Sequence, residues 1–415
     1  MPKPTVASTD KKVGTAGRRG DDVRSDLWVS VERRDKGGIE LELRSRVESY
    51  YGDSIREQAT SILNALGLEH AQVEIEDQGA LPFVIAARVE AAAVDAGVAE
   101  DADATPKRTI EIPPASARDR LRRSRLYVPG NEPKYFINAG LHRPDGIILD
   151  LEDSVHAEHK AAARLLVRNA LATVGLGAAE RMVRINQLPL GLEDLRAVVR
   201  QLPDMILIPK VEHAEQVRDA AAVVEQVLDD AGIDRPLWLM PILESALGIE
   251  QAYEIACASE RVAALTIGLE DYAADIGVPR TAEGDESDYA RRRLVNAARA
   301  AGVQAIDSVY GQVDDLDGLR SWGKRSKGQG FAGMGCVHPR QIVPIHESFN
   351  PTHSQIQRAQ RIVAAFEKAQ AAGLGVVSLG SKMIDPPVIK QSQQLVAQAR
   401  AAGLLTESPE GDPTP

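Results

Sequence analysis

SRLYVPG (Ser124–Gly130), GIILDLED (Gly146–Asp153), RMVRIN (Arg181–Asn186), MILIPKVE (Met205–Glu212), LWLMPILES (Leu237–Ser245), ALTIGLED (Ala264–Asp271), QAIDSVYG (Gln304–Gly311) and GCVHP (Gly335–Pro339) recur through the second half of the chain. They are short, largely apolar runs with polar residues at or near their ends. Amphipathic stretches such as HAEHKAAARLLVRNAL (156–171) and DYARRRLVNAARAAG (288–302) separate them. Strands apolar on both faces belong to parallel sheets covered by helices, and parallel pairing needs the crossovers those stretches provide. Eight such units within residues 119–350 have the count and length of a (β/α)8 TIM barrel. A doubly wound sheet is the competing architecture, since strand number alone does not close a barrel. No G-x-G-x-x-G follows any of these runs and no P-loop is present, which weighs against it.

Toward the N-terminus, LWVSVE (27–32) and IELEL (39–43) alternate around Lys36-Gly37-Gly38, a hairpin signal. DSIREQATSILNAL (53–66) carries apolar residues at helical spacing and stops at Gly67. AQVEIED (71–77) alternates again, and PFVIAARVEAAA (82–93) reads as a strand continuing into a helix. Residues 26–97 are thus expected to form a small α+β domain, preceded by a flexible polar arm over 1–25. The Asp-, Ala-, Pro- and Thr-rich stretch over 98–118 offers too little apolar material for a layer and reads as an interdomain linker. Beyond the barrel, HSQIQRAQRIVAAFEKAQAAG and PPVIKQSQQLVAQARAAG flank VVSLGSKMID. These predict a C-terminal helical extension over 351–403 that caps the barrel or docks on a neighbouring subunit, followed by a tail over 404–415.

Composition bounds the function. The 415 residues are 44% hydrophobic and 26% charged, enough for a sizeable core, and the net charge of -11 argues against gripping a phosphate backbone, so no nucleic-acid partner is expected. No uncharged apolar run approaches the ~18 residues of a membrane span, and Met1–Gly20 is polar and basic with no apolar segment after it. No membrane association and a cytoplasmic location are expected. Cys257 and Cys336 lie far apart in apolar surroundings and read as two buried reduced thiols.

In a TIM barrel the active site lies where the strands end. Those ends hold Asp150, Glu152 and Asp153; Arg184 and Asn186; Lys210 and Glu212; Glu244; Glu270 and Asp271; and Asp307. Carboxylates crowded into one mouth raise one another's pKa unless a cation relieves them. Oxygen ligands without a His or Cys cluster point to Mg2+ or Mn2+ rather than zinc, with Glu244 and Asp271 directly at strand ends. The competing reading for any one acid is a helix cap or rim ion pair. Arg184 ends an apolar strand and suits bidentate binding of a substrate carboxylate, the alternative being a salt bridge to a rim acid. His338 is either a general base or a residue satisfied by local hydrogen bonds. A cation beside an arginine suits chemistry through an enolate, and retro-aldol cleavage of a hydroxy acid fits.

From Arg123 to Asp385 the motifs RSRLYVPGNEPKYFINA, DGIILDLEDSV, VRIN, LIPKVE, LMPILESALG, IGLEDYAADIG, NAARAAGVQAIDSVY and GFAGMGCVHPRQI resemble the HpcH/HpaI aldolase and citrate lyase beta-subunit family. The resemblance implies a Mg2+-dependent barrel that cleaves or forms citryl, malyl or citramalyl thioesters. It implies Arg184 on a carboxylate of the acyl group and Glu244 and Asp271 on the metal. Asp150 and Glu152 would support them from behind, and Asp385 of GSKMIDPPV would be an acid reaching a neighbouring subunit's site. YGDSIREQATSILNALG and EDQGALPFVIAARVEAA, with LWVSVE, resemble the citrate lyase gamma subunit, an acyl carrier whose serine bears a phosphoribosyl-dephospho-CoA arm. The counterpart here is Ser25 in Arg24-Ser25-Asp26, one residue shorter than the usual segment. A flexible linker would then hold an acyl thioester beside the barrel at an effective concentration of ~mM.

The resulting expectation is a carbon–carbon lyase joined to its carrier, forming an acetyl thioester and a 2-oxo acid, within a trimer or hexamer and served by a separate alpha-like acyltransferase subunit. One alternative is a free-CoA-ester lyase, of malyl-CoA or citramalyl-CoA type, with a vestigial carrier domain. Another is a non-catalytic carrier and scaffold, which the intact Arg184, Glu244 and Asp271 set argues against.

Overall fold

The alternating N-terminal segments form one four-stranded sheet: β1 (Val13–Gly17), β2 (Leu27–Arg33), β3 (Ile39–Ser45) and β4 (Ala71–Asp77), in the order β1-β2-β4-β3. The chain is described by a computed structural model over residues 12–99, 104–372, 377–379 and 382–405. β2 and β3 are not the hairpin that the Lys-Gly-Gly turn suggests. β4 inserts between them, antiparallel to β2 and parallel to β3, because α1 (Glu48–Ala65) supplies a crossover between β3 and β4. β1 also corrects the arm expected over 1–25, of which residues 1–11 lie outside the described residues. A Cβ on Gly14 would fall 2.2 Å from the Ala92 carbonyl oxygen, so a bare backbone is what lets β1 approach the next helix.

That helix, α2 (Pro82–Asp95), is helical from its first residue, correcting the strand-then-helix reading; Pro82 sits in the first turn, where its missing N–H is not needed. It is buried nearly all round because Ile85, Val89 and Ala92 join the small domain's core while Phe83, Val84 and Ala87 join the barrel's. Its partner is α4 (Lys160–Thr173), which follows α3 (Pro133–Ala139). Across this seam the guanidinium of Arg168 forks onto Glu90 at 2.9 and 2.5 Å. Arg88 likewise forks onto Asp26, both bonds 2.9 Å, and donates to the Asn131 carbonyl at 3.2 Å.

Residues 104–118 are not the loose linker expected. The Thr109 N–H donates to the Ala172 carbonyl, Arg118 to the Val262 carbonyl, and Trp238 Nε1 to the Ser116 carbonyl at 2.7 Å. Ser116 and Arg122 together satisfy the buried carboxylate of Glu180. Polar side chains thus tie the segment to the end of the barrel where the strands begin.

β5 (Ser124–Pro129), β6 (Gly146–Asp150), β7 (Glu180–Arg184), β8 (Met205–Ile208), β9 (Trp238–Leu243), β10 (Ala264–Ile267), β11 (Gln304–Asp307) and β12 (Gly333–Cys336) pair in parallel, and β12 returns to β5 to close the barrel. Around it lie α5 (Gly191–Val198), α6 (Ala214–Asp230), α7 (Ala246–Glu250), α8 (Ala252–Ala256), α9 (Leu269–Asp275), α10 (Asp288–Ala300), α11 (Leu316–Gln329) and α12 (Ile342–Phe349). Side chains alternate across each strand. Ile148, Met182, Met205, Leu207, Met240, Ile242 and Ile306 fill the interior, while Ile147, Leu149, Val183, Ile206 and Leu239 meet the helices. α13 (His353–Ala371) and α14 (Pro386–Ala401) pack together through Ile362, Ala369 and Ile389, with β13 (Val377–Leu379) and β14 (Lys382–Ile384) between them.

Candidate active site

The alternation that fills the interior continues upward: beyond Ile148, Met182 and Ile242 the next inward positions are Asp150, Arg184 and Glu244, which therefore enter the mouth. Arg184 Nε and Nη2 donate to the two Asp150 oxygens at 2.6 and 2.8 Å, and Nη1 donates to Asp153 at 3.2 Å. Tyr127 lies beneath, its ring centroid 5.2 Å from the guanidinium carbon. Burial alone would raise the Asp150 carboxyl, but the Arg184 fork and the N–H groups of Ser154 and Glu152 outweigh it and hold it below the usual range. The same fork keeps Arg184 charged.

Glu152 Oε2 is 2.7 Å from Arg184 Nη1 yet is buried without a hydrogen bond of acceptable geometry, while Oε1 accepts from Gln187. Burial, opposed by Arg184 and reinforced by Asp153, pushes the Glu152 carboxyl up to about 7. Lys160 ties this wall down through the Leu151 and Glu152 carbonyls at 3.1 and 2.9 Å and Asn186 Oδ1 at 2.5 Å.

Across the mouth, Glu244 is buried and accepts from the Lys210 backbone N–H at 3.3 Å. Lys210 is held at φ +49°, a backbone conformation uncommon outside glycine, with its Nζ 3.7 Å from Asp271 and 4.0 Å from Glu152. A Cβ on Gly268 would fall 2.7 to 2.8 Å from Glu244 Cγ, Cδ and Oε2, so the carboxylate lies in a cradle only glycine leaves open. Burial, then the neighbouring Asp271 and Glu152, pushes Glu244 up to about 9. Such a pair of carboxylates wants a cation. No group of three or more His, Cys, Asp or Glu among the described residues forms a full metal cage, but Mg2+ is satisfied by one or two carboxylates plus water and substrate oxygens. Glu244 and Asp271 fit that requirement.

Several strand-end residues lie elsewhere. Asp307 faces outward, its carboxylate bonded to Arg291, Trp322 Nε1 and Ser326. His338 caps the turn at Pro339–Gln341, its Nδ1 accepting from the Arg340 N–H at 3.1 Å, so local hydrogen bonds account for it. Cys336 is buried as expected, but Cys257 is exposed. Asp385 stands exposed at the start of α14, with no described contact to Arg184, Glu244 or Asp271. Ser25 is half-buried between Arg24 and Asp26, with φ +55°. Sequence reasoning did not single out Lys160, Gln187, Tyr127 or Gly268. Of these, Gly268 carried a signal, a glycine immediately after a strand and before an acidic turn.

Comparison with known proteins gives the barrel a family. Residues 123–339 match the family HpcH/HpaI aldolase/citrate lyase. Citrate lyase subunit beta of Leuconostoc mesenteroides subsp. cremoris is 38% identical over 69% of this chain and 96% of its own length. The mitochondrial citramalyl-CoA lyase of Mus musculus is 35% identical over 67% of this chain and 86% of its own. The crystal structure of protein CitE from Mycobacterium tuberculosis in complex with magnesium, acetoacetate and coenzyme A is 28% identical with a TM-score of 0.55, covering 69% of this chain and all of that one. Residues 16–96 match the ACP family described as malonate decarboxylase delta subunit (MdcD), which gives the small domain the likeness of an acyl carrier. With an arginine and paired carboxylates in the mouth of a closed barrel, the chain belongs to the HpcH/HpaI aldolase/citrate lyase family and is a carbon–carbon lyase.

Proposed function

We propose that the barrel cleaves a 3-hydroxy-3-carboxyacyl thioester of citryl, citramalyl or malyl type by a retro-aldol reaction, with the acyl group carried on a phosphoribosyl-dephospho-CoA-type arm at Ser25. The observation that carries the reaction is the juxtaposition of Arg184 with Glu244 and Asp271 through Lys210 and Glu152. Three of the guanidinium's N–H groups are committed to Asp150 and Asp153 and Glu152 Oε2 stands 2.7 Å from Nη1, leaving the second N–H of Nη2 for a substrate carboxylate. Glu244 and Asp271 would hold Mg2+ or Mn2+, and such a cation when bound supplies Lewis-acid stabilisation of oxygen charge. The hydroxyl proton passes to a carboxylate base, for which Asp385 of another subunit is the candidate. The hydroxyl oxygen becomes the carbonyl of the 2-oxo acid as the carbon–carbon bond breaks. The bond's electrons enter the thioester enolate, which takes a proton at carbon to become acetyl. Asp150 and Glu152 orient Arg184 throughout. A homo-oligomer, to supply Asp385, and a partner acyltransferase, to load the carrier, complete this reading.

A second reading has an observation of its own. The small domain is packed on the barrel rather than hung from a free tether, and the magnesium-bound relative above also holds coenzyme A, which suits a free acyl-CoA lyase. Intact mass of the protein from its native host decides between them. A mass excess on the Ser25 peptide supports the carrier lyase; an unmodified chain that cleaves citramalyl-, malyl- or citryl-CoA with Mg2+ supports the second. Failure of both forms to cleave any of these thioesters would overturn the proposed reaction.

A further inference from the structure

An open polar cleft of roughly 260 Å3 lies where the small domain meets the loop after β5. Its walls are Arg18, Arg19, Asp22 and Arg24 from the small domain and Glu132 and Lys134 from the barrel, with Asp26 behind. The loop is part of the active-site mouth, since the Gly130 N–H donates to the Asp150 carbonyl at 2.7 Å, and Asp150 is the residue on which Arg184 is forked. The cleft therefore lies at the end of the barrel where the strands end.

Two of its three acids, Asp26 and Glu132, are already matched within the protein, and the third, Asp22, is exposed. Asp26 is forked by buried Arg88, and Glu132 is paired with Arg18 and lies 3.4 Å from Lys134. Arg19 lies 3.2 Å over the Trp28 ring and only loosely meets Glu76, at 3.8 Å. Arg24 has no ion-pair partner among the described residues. In a chain of net charge -11, four lining cations with Arg88 behind them, set against the three acids Asp22, Asp26 and Glu132, leave the cleft an excess of two positive charges. Ser25 stands between two of the lining residues in a left-handed conformation, its N–H fixed to the Gln78 carbonyl at 3.1 Å. The Gln78 N–H in turn donates to the Asp26 carbonyl at 3.0 Å, so both bonds to Gln78 hold Ser25 in this sparsely populated conformation.

We propose that this seam cleft binds the phosphates of a pantetheine nucleotide, with Arg24, Arg19 and Lys134 as the phosphate ligands, and so aims the thioester end at the barrel mouth. The inference rests on the thioester reading above but not on where the nucleotide comes from: an arm on Ser25 and free coenzyme A present the same phosphates.

The test uses the full chain, first made without a modifying partner and verified unmodified by mass. Coenzyme A binding is measured by calorimetry at fixed ionic strength, with phosphate-free pantetheine as control. The double variant Arg24→Gln/Lys134→Gln is expected to bind coenzyme A at least tenfold more weakly and with a shallower salt dependence, while pantetheine is unaffected. The single variant Arg24→Gln, at an exposed position, guards against a folding defect. Wild-type affinity for coenzyme A in both variants overturns the proposal. Native-host protein then distinguishes the sources: an arm on Ser25 that blocks added coenzyme A marks the covalent source, and full binding to an unmodified native chain marks the free one. Loss of binding in the variants without any thioester cleavage by the wild type would sink the lyase reaction while leaving the cleft. Cleavage by the wild type with unchanged binding in the variants would do the reverse.

Discussion

Removing one partner of the Glu90–Arg168 pair should be among the most costly single changes at the seam between the carrier-like domain and the barrel. The two charges are joined by two parallel bonds, and their side chains are only 4% and 10% exposed. Hydrogen bonds to charged groups contribute about 1.5–3 kcal/mol each, and truncating one member of a buried pair costs about 3–5 kcal/mol because the other is left uncompensated. Glu90→Ala strands the Arg168 guanidinium, which among the described residues keeps only its bond to Asn169 Oδ1 at 3.0 Å. Glu90→Ala and Arg168→Ala should therefore each lose about 3–5 kcal/mol. Glu90→Leu/Arg168→Met, which replaces both charges with apolar groups of similar size, should lose about 2 kcal/mol or less. Urea unfolding followed by tryptophan fluorescence can read this, since Trp28 reports on the small domain and Trp238 and Trp322 on the barrel. Single variants that cost under about 0.5 kcal/mol, the range of exposed pairs, would refute a docked domain. So would a double variant equal to the sum of its singles.

Glu244→Gln should lower kcat/KM by roughly 10³-fold, the equivalent of several kcal/mol of charge stabilisation, and weaken Mg2+ binding measured by calorimetry. Gly268→Ala, whose new methyl would collide with Glu244, should cost about 10²-fold in kcat with near wild-type circular dichroism; an unimpaired variant would remove the cradle from the argument. His346 bears on stability. Burial, with Arg123 nearby and despite Asp145, lowers its pKa, while its Nε2 hydrogen-bonds Ser124 at 2.8 Å. Above the unfolded value of about 6.5 both states are neutral and nothing is lost. As pH falls below it, the unfolded chain takes up a proton that the folded chain resists, so stability declines until the folded pKa is reached. His346→Gln should flatten the stability profile below about pH 6.5, which urea titrations at each pH will reveal.

The small domain shows why its composition could be read and its topology could not. Alternation in LWVSVE, IELEL and AQVEIED marks strands, but pairing is decided by what lies between them. The α1 crossover makes β3 and β4 parallel neighbours and overrides the Lys-Gly-Gly turn. β1 has the sequence VGTAG, with too few apolar residues to announce a strand. It exists because Gly14 allows the backbone to press on α2 and because β2 offers an edge. The segment over 104–118 was legible as poor in apolar residues, yet it is fixed by polar side chains, which hydrophobic periodicity does not register.

At the mouth, a finer use of the sequence would have sorted the acids. Strand side chains alternate with a period of two, so once Ile306 points inward its neighbour Asp307 must point outward, into the layer holding Arg291, Trp322 and Ser326. The same count puts Asp150 two residues beyond inward Ile148, Arg184 two beyond Met182 and Glu244 two beyond Ile242. A strand-end acid thus reaches the mouth only if it shares parity with the interior, and Asp307 fails that test while Glu244 passes it. Parity does not extend past the strands. Glu152, Lys210 and Asp271 reach the centre through turn geometry, through a residue held at positive φ and through the first turn of α9, respectively. For that reason the carboxylate pair at the mouth is half legible in sequence: Glu244 by counting along a strand, and Asp271 only once the turn at Gly268 has brought it back toward Lys210.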